Sequence, residues 1–190
     1  MIKIKICGLK REEDIAIVNK YKPDYIGFIL AFNKKRTINI ATVKRLYSLL
    51  DRNILAVGVF LDQDIEYIKE ALPFIDVIQL HGSESEDYIK NLKNYTSKPI
   101  IKAYNDYELA DYILVDNAMP GTGIKASWDS IDRYNNPVFL AGGVNIFNID
   151  EALALNPYCI DVSTGVETDG FKDEAKIKEL IEKVRFYDKR

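Results

Sequence analysis

The sequence predicts an α/β fold, a compact (β/α)8 (TIM) barrel that takes up residues 1–190 as a single domain. Short β-rich segments alternate with helical patterns along the chain, which predicts a parallel sheet with right-handed crossovers. The β-rich segments number eight, as a closed barrel requires. An open doubly wound sheet is the alternative, but its first strand usually leads into a GxGxxG turn. The corresponding turn reads Cys7-Gly8-Leu9-Lys10, which favours the barrel.

The eight predicted strands are apolar, β-branched runs bounded by turn residues. They are residues 2–7, 25–30, 54–61, 75–80, 98–103, 112–116, 137–141 and 159–163. Six intervening segments carry apolar residues at three- and four-residue spacing, which is typical of amphipathic helices. These are residues 12–20, 42–50, 64–72, 84–92, 146–155 and 173–187. The segments after the fifth and sixth strands are short, and each predicts about one helical turn.

Composition narrows the classes of function. The formal net charge is −3, so nothing favours a nucleic acid or an anionic membrane as a partner. The apolar runs are far shorter than the roughly 20 residues of a membrane helix, and Met1 to Cys7 does not resemble a signal peptide. Two cysteines and one histidine are too few for a disulfide framework or a zinc site. We expect a cytoplasmic enzyme without a metal site, a monomer or a homodimer, that binds a small molecule.

Side chains alternate between the two faces of a strand, which predicts what lies inside the barrel. Lys5 and Cys7 of the first strand face inward, as do Gln79 of the fourth and Asp161 of the eighth. Buried charges must be paired, and the first and eighth strands are neighbours in a closed barrel. We therefore predict an ion pair between Lys5 and Asp161 below the mouth. The second cysteine, Cys159, is expected to pack in the core.

Active sites of this fold lie at the carboxyl ends of the strands. The turns after the seventh and eighth strands are rich in glycine and hydroxyl residues, which predicts a phosphate site built from backbone N–H groups. The alternative is that the glycines only form tight turns. The candidate phosphate-binding residues are Gly142, Gly143, Ser163, Thr164 and Gly165.

Two further strand ends offer acid–base groups. Cys7 is placed to be an exposed thiol, although a small buried apolar role is equally compatible with its residue type. Asp116 ends an apolar strand, and partial burial favours the neutral form that donates a proton. Its alternative role is a helix N-cap. His81 either lines the site and contacts the substrate or caps the next turn. Trp128 is expected to pack in the short segment after the sixth strand.

Several short motifs together resemble phosphoribosylanthranilate isomerases, the barrel enzymes of tryptophan biosynthesis. They occur in family order along nearly the whole chain. The matching segments are KICG (5–8), Arg36 within KKRTI, VGVF (57–60), QLHG (79–82), LVD (114–116), GTG (121–123), LAGGV (140–144), DVSTGVE (161–167) and GFKD (170–173). The combination is specific, whereas no single segment would be sufficient.

The resemblance implies a reaction and roles. The family converts N-(5-phosphoribosyl)anthranilate to 1-(2-carboxyphenylamino)-1-deoxyribulose 5-phosphate by an Amadori rearrangement, without a metal or a cofactor. By position, Cys7 is similar to the general base, Asp116 to the general acid and Arg36 to the residue that contacts the anthranilate. The charge of Lys5 is expected to favour the Cys7 thiolate unless Asp161 neutralises it.

Departures from the family pattern are small. Pro120 stiffens the loop at 117–123, and Thr164 stands where the family usually has a serine. Three alternatives remain: the related isomerase of histidine biosynthesis, a sugar-phosphate epimerase and a non-catalytic phosphoribosyl-binding barrel. Cys7 argues against the first, which uses an aspartate there, and the single histidine argues against a metal-dependent epimerase. The presence of both Cys7 and Asp116 argues against loss of catalysis.

Overall fold

The computed structural model of the chain describes residues 1–116, 128 and 131–187. Its eight parallel strands hydrogen-bond in sequence order and close into a barrel, which confirms the predicted fold. The strands are β1 (Lys3–Cys7), β2 (Tyr25–Ile29), β3 (Leu55–Phe60), β4 (Val77–Leu80), β5 (Ile100–Ala103), β6 (Tyr112–Val115), β7 (Val138–Leu140) and β8 (Cys159–Val162).

Helices follow most of the strands. They are α1 (Glu12–Tyr21), α2 (Ile40–Leu49), α3 (Ile65–Ala71), α4 (Glu86–Leu92), α5 (Ile149–Ala154) and α6 (Glu174–Tyr187). Residues 104–111, after β5, contain turns and no helix, whereas about one helical turn was predicted there. In the segment after β6, where a further helical turn was predicted, residues 117–127, 129 and 130 lie outside the described residues, and Pro120 is among them. None of the helices within the described ranges has the length and apolar character needed to cross a bilayer.

The start of α5 differs from the prediction by three residues. Ile146 and Phe147 are apolar enough to extend the helical pattern, but the flanking Asn145 and Asn148 form a turn there instead. The Asn148 side chain accepts a hydrogen bond from the Asn145 N–H at 2.8 Å, and the Asn145 side chain accepts one from the Phe147 N–H at 2.9 Å. Asparagine side chains compete in this way with helical hydrogen bonds.

The strands carry two apolar layers. Residues such as Ile4 and Ile6 pack outward against the helices, and a second cluster that includes Cys7, Phe139 and Cys159 forms a separate apolar layer inside the barrel. Cys159 opens β8 and is fully buried. Between these apolar groups lie the buried polar side chains Lys5 and Gln79, as the alternation of faces predicted.

A short segment after β8, not predicted from the sequence, completes the mouth. A 3₁₀ turn (Thr164–Val166) leads into a small antiparallel pair, β9 (Glu167–Thr168) and β10 (Phe171–Lys172). The pair places Glu167 opposite Lys172. Two charged side chains are thereby fixed beside the end of β8.

Candidate active site

The predicted ion pair between Lys5 and Asp161 is present. The Lys5 Nζ donates to Asp161 Oδ2 at 2.6 Å and to Gln79 Oε1 at 2.9 Å. Burial by itself would lower the pKa of Lys5, but the charge of Asp161 and the hydrogen bond to it raise that pKa above its ordinary value. Lys5 is therefore a permanent cation at the floor of the site.

Cys7 ends β1 directly above this pair and is only 8% exposed, so its thiol is buried and not exposed as expected. Gly27 of the neighbouring strand leaves room for its thiol, because a Cβ added to Gly27 would lie 2.6 Å from the Cys7 Sγ. Burial raises the pKa of the Cys7 thiol above its ordinary value, and the charges of Lys5 and of Lys172 partly oppose that shift. The charge of Lys5 thus lowers the pKa of Cys7 even though Lys5 is paired with Asp161, but burial raises that pKa by more.

Arg36 reaches the mouth from the loop after β2. Its Nη1 lies 3.3 Å from Glu167 Oε1, and its side chain crosses Gly8, where an added Cβ would lie 2.8 Å from the Arg36 Cδ. Lys172 binds the same Glu167 oxygen at 2.8 Å and the Ser163 carbonyl at 2.9 Å. Glu167 therefore contacts both Arg36 and Lys172, and through Lys172 it connects Arg36 to the end of β8. Glu167 and Lys172 lie within the GVE and GFKD motifs, but no role could be assigned to them from the sequence.

The two predicted phosphate turns lie against each other. A Cβ added to Gly165 would come within 1.9 Å of the Val144 carbonyl oxygen, so the turn after β8 touches the turn after β7. Gly142 and Gly143 have φ values of 90° and 76°, a backbone region that favours glycine. The Ser163 hydroxyl donates to the Cys7 carbonyl at 3.2 Å. The candidate phosphate site and the candidate base are therefore neighbours.

Asp116 follows β6 and lies close to His81. The distance from His81 Nε2 to Asp116 Oδ2 is 3.5 Å, and the Tyr104 hydroxyl lies 3.1 Å from the same nitrogen. His81 therefore lies beside Asp116, and the helix that follows His81 is capped by Ser85, which accepts from the Tyr88 N–H at 3.2 Å. Tyr104 was not singled out from the sequence, because its contact depends on how β5 aligns with β4. The N-cap alternative for Asp116 concerns residues outside those described.

Trp128 packs partly buried against the core and donates from its indole N–H to the Ala141 carbonyl at 2.9 Å. Within residues 1–116, 128 and 131–187, no three His, Cys, Asp or Glu side chains come together as a metal-binding group. Taken together, the described strand ends present a buried thiol, a carboxyl group beside an imidazole, an arginine and two contacting glycine-containing turns.

Comparison with known proteins agrees with this arrangement. The sequence profile of the N-(5'phosphoribosyl)anthranilate (PRA) isomerase family matches residues 4–183. The chain is 44% identical to the N-(5'-phosphoribosyl)anthranilate isomerase of Clostridium acetobutylicum, with 97% of this chain and 98% of the relative covered. It is 47% identical to the enzyme of the same name from Endomicrobium trichonymphae, over 97% of this chain and 99% of the relative.

Solved structures are similar over the same length. The phosphoribosyl anthranilate isomerase of Thermus thermophilus superposes with a TM-score of 0.87 at 31% identity, and both chains are covered completely. A phosphoribosyl anthranilate isomerase in complex with reduced 1-(o-carboxyphenylamino)-1-deoxyribulose 5-phosphate gives a TM-score of 0.83 at 27% identity, over 98% of this chain and all of that one. The chain therefore belongs to the phosphoribosylanthranilate isomerase family of tryptophan biosynthesis.

Proposed function

We propose that this isomerase converts N-(5-phosphoribosyl)anthranilate to 1-(2-carboxyphenylamino)-1-deoxyribulose 5-phosphate with Cys7 as the general base and Asp116 as the general acid. The main support is the arrangement of the strand ends. The Cys7 carbonyl is bound by Ser163 of a candidate phosphate turn, and Asp116 lies beside His81 at the same end of the barrel. A relative that binds a reduced form of the product agrees with this ligand chemistry.

The residue types fit the chemistry of each step. Asp116 gives a proton to the ribose ring oxygen while the C1–O bond breaks and the nitrogen lone pair forms a C1=N Schiff base. Cys7 then takes the proton on C2, and those C–H electrons form a C1=C2 enol-amine. In the final tautomerisation C1 gains a proton and the C2 enol hydroxyl loses one, which gives the C2 ketone. The positive Schiff base acidifies the C2 proton and adds to the cations that favour the Cys7 thiolate.

The remaining residues are proposed to hold the substrate. The backbone N–H groups of the two glycine-containing turns and the hydroxyls beside them suit the phosphate. These turns contain Gly142, Gly143, Ser163, Thr164 and Gly165. Arg36 offers a planar fork for the anthranilate carboxylate, which a lysine could not reproduce. His81 contacts the substrate from the opposite side, next to Asp116.

Turnover of substrate generated in place tests the assignment. A helper transferase makes phosphoribosylanthranilate from anthranilate and phosphoribosyl pyrophosphate, and its consumption is followed by fluorescence. We expect Asp116→Asn and Cys7→Ser to lose turnover by about 10²-fold or more, because each removes one acid–base group. Circular dichroism of each variant checks the fold. A folded Asp116→Asn protein with near wild-type kcat would remove Asp116 from the acid role.

A cytoplasmic location and a monomeric or dimeric state are part of the same proposal. Membership of a biosynthetic enzyme family motivates the first. For the second, a relative from Thermotoga maritima is described as dimeric and has also been obtained as monomers. Size-exclusion chromatography with light scattering would distinguish the two states.

A further inference from the structure

A continuous line of hydrogen bonds crosses the barrel interior from the Lys5–Asp161 ion pair to His81. Lys5 Nζ donates to Gln79 Oε1 at 2.9 Å, and Gln79 Nε2 lies 3.0 Å from His81 Nδ1. Lys5 and Gln79 are 0% and 2% exposed, so the contact between these two side chains is shielded from water. The other ring nitrogen of His81 faces the Tyr104 hydroxyl and the Asp116 carboxyl group.

The donor and acceptor types along this line allow only one arrangement. A lysine ammonium can only donate, so the oxygen of the Gln79 amide must face Lys5. The amide NH2 then faces His81, and it too can only donate. The Nδ1 of His81 must therefore accept, which leaves the ring neutral with its proton on Nε2.

We propose that Lys5, acting through Gln79, holds His81 as the neutral Nε2–H tautomer, and that this makes Gln79 and His81 positioning residues for Asp116. The inference rests on the proposed role of Asp116 as the general acid. An imidazolium beside Asp116 would favour the ionised carboxylate and remove the proton that the acid must give. A neutral N–H adds no such charge beside Asp116 and can donate to the carboxylate once the proton has been transferred.

The backbone of Tyr104 indicates that the cluster around His81 has a functional role. Its φ of 71° lies in the left-handed region, which a bulky residue rarely adopts and which is held at sites where geometry matters. That backbone conformation accompanies the contact of its hydroxyl with His81 Nε2. Burial, with the nearby Asp116 charge, raises the pKa of Tyr104 to about 12, so the hydroxyl keeps its proton. The groups that face the ring are thus Gln79 of β4, Tyr104 at the end of β5 and Asp116 at the end of β6.

The composition makes the tautomer directly measurable, because the chain has one histidine. We would label the full chain with ¹⁵N-histidine and record long-range ¹H–¹⁵N spectra at pH 7.5 without substrate. The expected result is a pyridine-type Nδ1 and a pyrrole-type Nε2. A proton on Nδ1, or an even mixture of tautomers, would overturn the proposal.

Gln79→Glu keeps the side-chain shape but replaces the NH2 group that donates to His81 with an oxygen that accepts. A carboxylate accepts from both neighbours, so we expect a proton on Nδ1 and a fall in kcat of about tenfold, part of what a general acid contributes, with little change in KM. Gln63→Glu is the matched control. Gln63 is also buried and accepts from the Leu61 N–H, a role that Glu retains, so the histidine resonances should not move. Gln79→Met serves if the Glu variant does not fold, and mixed tautomers with lower kcat are then expected.

The outcomes separate this proposal from the proposed function. A fixed tautomer that Gln79→Glu shifts without any loss of kcat would refute the positioning role. A fixed tautomer together with a fully active Asp116→Asn enzyme would refute the acid assignment and, with it, the purpose inferred for the arrangement. The spectra are recorded without substrate, so the tautomer is tested even if the reaction is different.

Discussion

Removing the charge of Lys5 should destabilise the protein strongly. The Lys5 and Asp161 side chains are 0% and 6% exposed, and they meet at 2.6 Å. Asp161 Oδ1 has no hydrogen-bond partner among the described residues, so Asp161 depends on Lys5 for compensation of its charge. Breaking a buried pair from one side typically costs about 3–5 kcal/mol, because the remaining charge is left uncompensated. The whole free energy of unfolding of a folded domain is only about 5–15 kcal/mol.

Urea unfolding of Lys5→Met, followed by circular dichroism, measures this cost. We expect the free energy of unfolding to fall by about 3–5 kcal/mol. The double variant Lys5→Met/Asp161→Leu removes both charges and should recover most of the loss, since apolar replacements of buried pairs are often neutral. Lys20→Met is the matched control, because Lys20 pairs with Glu174 at a similar distance but is 64% exposed, and we expect no clear change in its midpoint. The reasoning is refuted if Lys5→Met unfolds at the wild-type midpoint, or if the double variant is no more stable than the single one.

Three further predictions concern the mouth. Arg36→Lys should raise KM about tenfold or more with a smaller effect on kcat, because the bidentate contact to a carboxylate is lost. Steady-state kinetics measure both constants, and an unchanged KM would contradict the role of Arg36 in substrate binding. Gly27→Ala places a methyl group 2.6 Å from the Cys7 Sγ, so it should cost about 1–3 kcal/mol of stability and reduce kcat. A fully active and stable variant would mean that β1 and β2 move apart without cost. Burial raises the pKa of Cys7, so at pH 7 a smaller fraction is thiolate than in a free cysteine, and that fraction grows as the pH rises. Alkylation of the Cys7 peptide, followed by mass spectrometry, should therefore have its midpoint above about 8.5, and a plateau already reached at pH 7 would contradict this.

The barrel and its polar interior could be predicted because both follow from local periodicity. Alternation within the strands sets which side chains point inward, and adjacency of the first and last strands follows from closure. These two rules were enough to predict the contact between Lys5 and Asp161. The start of α5 was missed for a reason of the same local kind, since the side chains of Asn145 and Asn148 bind nearby backbone N–H groups in preference to helix.

Contacts made across strands or through very short elements could not be predicted in this way. Each strand of the β9–β10 pair has two residues, too few for any periodicity. The contacts of Lys172 and Arg36 with Glu167 therefore could not be predicted from the sequence pattern. The approach of Tyr104 to His81 depends on the register of β5 against β4 and on a left-handed backbone that its sequence does not favour. Yet the two kinds of feature are coupled, because Gln79, whose inward position was predictable, is hydrogen-bonded both to Lys5 and to the ring beside Asp116. We therefore propose that the polar interior of this barrel serves the candidate site rather than net stability, since buried ion pairs add little net stability and can often be replaced by apolar groups.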